Sequence, residues 1–275
     1  MAIFGKNAKE ENHIDTKNSQ NTPSISDRLL GFVLLRHAVW DKAKFFEDMR
    51  NEWNIEMSED NIDDNENEIV YVKAEGFLIV VGLMPTAIPG GEAEFYAKAN
   101  YMWKDAERIV ARHNAHLLVT VMGNGDMLDR ARLYVKVTSA LLGQENALAL
   151  YSEGAVYQPE MFRDCAGVIK DGTVPILNLV WFGLYNDGKK SGVYTYGMRR
   201  FGKEEIEVYV PSDRCDLNYI RNFLVSVSAY VLEEDVVLRD GETIGMSAEE
   251  KLPIKVSPGL AVKGNTIKID ITKHE

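Results

Sequence analysis

Residues 194–208 read YTYGMRRFGKEEIEV. Val193, Thr195, Gly197, Arg199 and Phe201 alternate with Tyr194, Tyr196, Met198 and Arg200, the two-residue period of a strand. Beyond a turn at Gly202-Lys203, Ile206, Val208 and Val210 alternate with Glu205, Glu207 and Tyr209. The spacing predicts a hairpin that turns Ile206, Val208 and Val210 toward the core and leaves Glu205, Glu207 and Tyr209 on its wet face. Antiparallel pairing sets Arg199 or Arg200 across from Glu205 or Glu207, and exposed cross-strand pairs of this kind contribute about 0.2–1 kcal/mol. Arg199, Arg200, Lys203, Glu205 and Glu207 form a candidate interaction surface, whose plainer reading is ion pairing within the hairpin.

Working outward, PILNLVWFGLY (175–185) reads as a third strand, joined to the hairpin by the turn residues of NDGKKSG (186–192). Asp216 to Leu232 reads as a helix, with Leu217, Ile220, Phe223, Leu224, Val227 and Val231 on one face. Toward the N-terminus, LLGFVLL reads as a strand, followed by a helix from Trp40 to Trp53. EIVYVKA and FLIVVGLM are two strands around a tight turn at Glu75-Gly76. A helix from Glu92 to Asn114 and the strand HLLVTVMG follow. The order from Leu29 to Gly123 is thus strand, helix, strand, strand, helix, strand, that of the split βαβ or ferredoxin-like unit. A helix from Met127 to Leu142, the strand ALALYS and the helical PEMFRDCAGVI lead into the second half, which repeats the pattern. The expected fold is α+β: two ferredoxin-like modules, 29–145 and 146–275, able to share one continuous, mostly antiparallel sheet, behind a flexible polar tail at 1–28.

With 275 residues, 45% hydrophobic and 27% charged, the chain falls among globular proteins. A net charge of -11 argues against broad binding of nucleic acid, which needs a cationic surface, and fits a basic protein partner or simple solubility better. Cys165 and Cys215 read as reduced thiols, and the cytoplasm is the expected compartment. The opening residues lack a signal-peptide core. The longest apolar run is about half of the roughly 20 residues a membrane helix needs, so no membrane partner is expected. The acidic run MSEDNIDDNENE (57–68) reads as a solvated loop, because it lacks the glycine of a calcium-binding EF-hand loop.

Chemistry-bearing residues are sparse. His113 and His116 are clustered, and Glu92 and Glu94 sit one helix away, so these four are the candidate metal ligands. Their plainer reading places His113 at a helix C-terminus and His116 at the start of a strand, because a spacing of three across a helix end disfavours convergence. MGNGDM (122–127) and IPGGEAEF (88–95) lack the residues of nucleotide-binding loops, and Glu92 and Glu94 would repel a phosphate. No serine elbow occurs, and Cys165 reads as a core thiol. No catalytic residue and no cofactor are assigned.

Gly197, Phe201, Gly202, Glu205 and Glu207, followed by Asp240, Gly241, Thr243, Gly245 and Ser257-Pro258-Gly259, form a pattern that resembles the C-terminal part of an uncharacterised bacterial family, domain of unknown function 4261. The resemblance covers about the last 120 residues. It implies a bacterial, cytosolic protein and supplies no reaction or site residues. The expected function is that of a non-enzymatic protein-binding module. One alternative is an immunity or antitoxin-like protein that binds a basic toxin. The other is a metal-dependent hydrolase using the His113/His116 region.

Overall fold

The structure is a computed structural model and describes residues 29–57, 69–214, 216–247 and 249–272. The expected tail, most of the acidic run and Cys215 lie outside the described residues. In chain order the elements are β1 (Leu29–Leu35), α1 (Lys42–Trp53), β2 (Ile69–Ala74), β3 (Phe77–Met84), α2 (Glu92–Lys98), α3 (Ala106–Val110), β4 (Ala115–Met122), α4 (Met127–Leu141), β5 (Ala147–Ser152) and β6 (Ala155–Tyr157). They continue with α5 (Pro159–Ala166), α6 (Ile176–Leu179), β7 (Trp181–Asn186), β8 (Lys190–Tyr196), β9 (Ile206–Pro211), α7 (Leu217–Glu233), β10 (Thr243–Ile244), β11 (Leu252–Pro258) and β12 (Asn265–Ile269).

The fold mixes helices and strands, and the strands close into two six-stranded sheets rather than one. The first has the order β2-β3-β4-β1-β5-β6 and the second β10-β11-β12-β9-β8-β7. Every neighbouring pair of the first sheet is antiparallel. In the second, β12 and β9 run parallel. β5 and β6 lie beyond residue 145 yet complete the first sheet, so the division between the sheets falls between β6 and β7. The Glu75-Gly76 turn forms as expected, with φ of 50° and 83°, the left-handed pair that matches hairpin twist.

The strand order departs from the split βαβ unit. That arrangement would place β1 between β3 and β4; here β3 and β4 are direct antiparallel neighbours. The cause lies in the segment expected to be one helix from Glu92 to Asn114, which would have carried the chain to the far end of the sheet. It breaks instead into the short helices α2 and α3, packed on each other, and the chain returns to the end it left. Asn100 makes the break. Its Oδ1 accepts from the N–H groups of Met102 and Trp103 at 3.0 and 3.1 Å, and its Nδ2 donates to the Val156 carbonyl at 2.7 Å. A side chain that takes over local backbone donors ends a helix.

The same segment explains why the sheets stay separate. β6 ends the first sheet and β7 the second, and the edges are capped in turn: Asn100 takes the Val156 carbonyl of β6, and the Tyr101 hydroxyl donates to the Phe182 carbonyl of β7 at 2.8 Å. PILNLVWFGLY, expected as a strand throughout, starts with the one-turn helix α6 and becomes a strand only at Trp181.

One hydrophobic cluster runs through α1, α4, α6, α7 and both sheets. α4 packs on β1 and β4, α7 packs on β7, β8 and β9, and α6 joins the two helices. A second cluster fills the opposite face of the first sheet, where Leu34, Ala149, Tyr151 and Val156 meet Ala93, Ala97 and Val110 of α2 and α3. Both faces of the first sheet are therefore covered by helices, whereas α7 covers one face of the second.

Candidate functional site

The four candidate metal ligands do not converge. His113 is 4% exposed, and both ring nitrogens are engaged by the backbone: Nδ1 lies 2.6 Å from the Val110 carbonyl and Nε2 accepts from the Ile88 N–H at 2.9 Å. Glu94 lies 3.6 Å from Nδ1. His116 bonds through Nδ1 to the Thr86 carbonyl at 2.8 Å, and burial holds its pKa below the ordinary value. Glu92 accepts from the Tyr151 hydroxyl at 2.6 Å. Among the described residues no group of three or more His, Cys, Asp or Glu is placed to hold a metal ion. Cys165 is half-buried, and burial raises its thiol pKa, the environment of an inert thiol.

Residues 194–208 form two strands as the alternation predicts, but the turn and the charges differ. A short 3₁₀ helix over Met198–Phe201 replaces the end of the expected first strand and closes at Gly202, φ 68°. Glu205 and Glu207 are not on a wet face: they are 2% and 0% exposed. Glu205 folds back over the turn, accepting from the N–H groups of Gly197 at 2.9 Å and Arg199 at 3.3 Å and from the Thr195 hydroxyl at 2.7 Å. Glu207 sits under residues 260–262. Its carboxylate accepts the N–H groups of Leu260, Ala261 and Val262, the Thr266 hydroxyl and, at 2.9 Å, the Lys268 ammonium. Burial alone would raise its pKa; Lys268 and the converging donors outweigh it and hold the pKa below the ordinary carboxylate value.

The arginines consequently pair elsewhere. Arg199 donates to the carbonyls of Lys263 and Asn265, welding the β8–β9 turn to the β11–β12 loop. Arg200, whose side chain is 11% exposed, reaches Glu153 of the β5–β6 turn at 3.3 Å and donates to the Leu179 carbonyl, so it bolts the two sheets together. Lys203 pairs with Asp235 at 2.5 Å. Gly197 explains itself in this setting: φ is 126°, and a Cβ there would lie 2.8 Å from the Leu179 carbonyl oxygen. Of the five residues expected to form an interaction surface, four hold the turn, the loop and the sheet junction together, and Lys203 ties the turn to the end of α7.

What this framework presents is the outer face of the second sheet. On it β7 places Trp181, Gly183 and Tyr185, β8 places Gly192, Tyr194 and Tyr196, and β9 places Glu207 and Tyr209. Tyr194 pairs with Gly183, and its ring occupies the space above that glycine; at Gly192 the Val208 carbonyl oxygen takes the place of a Cβ first, with the edge of the Tyr209 ring beside it. Tyr185 meets Tyr209 edge-on at 4.9 Å between centroids, and Tyr101 meets Trp181 at 5.7 Å. Tyr196 is 46% exposed; Trp181, Tyr185, Tyr194 and Tyr209 are half-buried. Burial raises the Tyr194 and Tyr209 hydroxyls, and the neighbouring Glu207 charge adds to it, so all remain neutral donors. The face is aromatic; Tyr196 is its exposed ring, while the Tyr209 hydroxyl is buried. Sequence alternation could have found it, because Tyr194, Tyr196 and Tyr209 share its parity, but the glycines that let the rings lie down show their role only once the strands are paired.

No curated protein and no solved structure matches the chain. Residues 194–270, which include the end of β8 with Tyr194 and Tyr196, β9 and the loop over Glu207 but neither β7 nor Gly192, match the model of a family described as a domain of unknown function (DUF4261).

Proposed function

We propose that the chain is a non-enzymatic protein-binding module of the bacterial cytosol, and that it docks its partner on the tyrosine face of the second sheet. The observation that carries this reading is the ring of Tyr194 resting over Gly183, beside Trp181, Tyr185 and Tyr196, on a sheet face that lies away from α7 and that residues 260–262 cover at Glu207. Tyrosine and tryptophan offer large contact area with little rotamer entropy to lose and a polar tip to satisfy, which is why they concentrate at interface centres. The net charge of -11 favours a basic partner by steering and exclusion of acidic competitors, and an immunity or antitoxin-like role toward a basic toxin is the specific form that fits this charge.

The test compares the wild type with Trp181→Ala and Tyr196→Ala as baits in extracts of the producing cell, with Tyr71→Ala, an exposed tyrosine of the first sheet, as control. The reading expects a protein retained by wild type and the control and lost with the two face variants. Equal retention by all four baits contradicts it.

A further inference from the structure

A different part of the second sheet carries a separate inference. β10 is its last strand. It pairs with β11 through Thr243↔Pro253 and Ile244↔Leu252. Pro253 has no N–H, and Ile254 N–H donates to the Glu242 carbonyl at 2.9 Å, so the ladder bonds fall on positions 242 and 244. Antiparallel alternation then turns the N–H and C=O of Thr243 away from β11, where no described residue is seen to bond them. Beside this edge lies an open groove of about 780 Å³, walled by Tyr230 of α7 with Val236, Leu238, Ile244 and Met246. Tyr230 is 48% and Met246 59% exposed.

The edge is held in place rather than left to fray. Gly241, φ 82°, donates to the Ile254 carbonyl, and Asp240 accepts from the Val256 N–H at 2.7 Å. The opposite edge of the sheet is closed by the Tyr101 hydroxyl on Phe182.

We infer that β10 and the α7 groove take an extended segment of a partner protein that carries lysine or arginine, added as a further strand to the sheet. Strand addition draws affinity from main-chain bonds and specificity from pockets for alternate side chains; here Thr243 offers one N–H and one C=O at the edge, and the groove walled by Tyr230, Leu238 and Met246 offers the pocket. Charge selects the occupant. Residues 233–251 hold seven acidic and two basic side chains; Arg239 pairs with Glu242 and Lys203 with Asp235, which leaves the segment net acidic. A second copy of this chain would bring two such acidic edges together, which disfavours self-pairing.

The probe is a fluorescein-labelled peptide of alternating lysine and valine, followed by anisotropy with the full chain. Saturable binding is expected, weakened by added salt. It should fall at least tenfold with Tyr230→Asp, and at least tenfold when every second peptide nitrogen is methylated, a change that leaves the protein untouched. An alternating glutamate and valine peptide should not bind. The inference is overturned by equal binding of the acidic peptide, by undiminished binding of the methylated one, or by absence of saturable binding. Because these residues lie apart from the tyrosine face, Trp181→Ala and Tyr196→Ala should leave the peptide affinity unchanged; a loss with those variants would assign the peptide to the tyrosine face and overturn the groove.

Discussion

The ring of Tyr194 occupies the place of the side chain that residue 183 does not have: a Cβ on Gly183 would lie 2.2 Å from Tyr194 Cζ. Gly183→Val must therefore lift the ring off the sheet or displace the strand, and overpacking of this kind costs about 1–3 kcal/mol. The thermal midpoint of Gly183→Val should fall, and Tyr194→Ala in the same chain should recover part of the loss, as a double-mutant cycle reads coupling between neighbours. Additive effects of the two substitutions would show that the ring does not rest there.

Glu207 offers a test by pH. Its folded pKa lies below the ordinary 4.5, so the ionised carboxylate contributes stability above about pH 4.5, and that contribution is lost as the pH falls through the lower folded value. Wild-type thermal midpoints should drop over this acid range, and Glu207→Gln should show a shallower drop from a lower starting point. Replacement by Leu should cost more, about 3 kcal/mol or above, because Lys268 and three N–H groups lose their acceptor. Identical acid profiles for wild type and Glu207→Gln would contradict the assignment.

At the junction, Asn100→Ala removes the cap on Met102 and Trp103 and leaves the Val156 carbonyl bare. A buried acceptor left without its donor costs about 1–3 kcal/mol, and hydrogen exchange should quicken in α2, α3 and β6 while β10 to β12 stay protected. Uniform quickening across both sheets would show that Asn100 acts on the global fold and not on this seam.

Much of this was legible in the sequence and some was not, for reasons that particular residues make plain. Period-two alternation located β8 and β9 and assigned Glu207 to the outer face, correctly in parity. It could not show that residues 260–262, more than fifty positions later, fold over that carboxylate. Alternation also placed Tyr194 and Tyr209 together, whereas the place of Tyr194 over Gly183 and of Tyr209 beside Gly192 depends on strand register. The helix expected from Glu92 to Asn114 has a continuous apolar stripe; Asn100 breaks it by taking the N–H groups of Met102 and Trp103 while its Nδ2 is held by the Val156 carbonyl, a tertiary contact that local periodicity does not contain. The His113 and His116 pair were ligand candidates by type and helix-end and strand-start residues by spacing, and the backbone groups of Val110, Ile88 and Thr86 that occupy them come from the fold.

The central claim is that the tyrosine face is where this chain meets its partner. The most direct measurement introduces a photo-crosslinking amino acid at position 196 and, separately, at position 71, illuminates the producing cells and identifies the adducts by mass. The account predicts a discrete protein adduct from position 196 that is absent from position 71 and that Trp181→Ala abolishes. The same adducts from both positions, or an adduct from position 196 that survives Trp181→Ala unchanged, would contradict it.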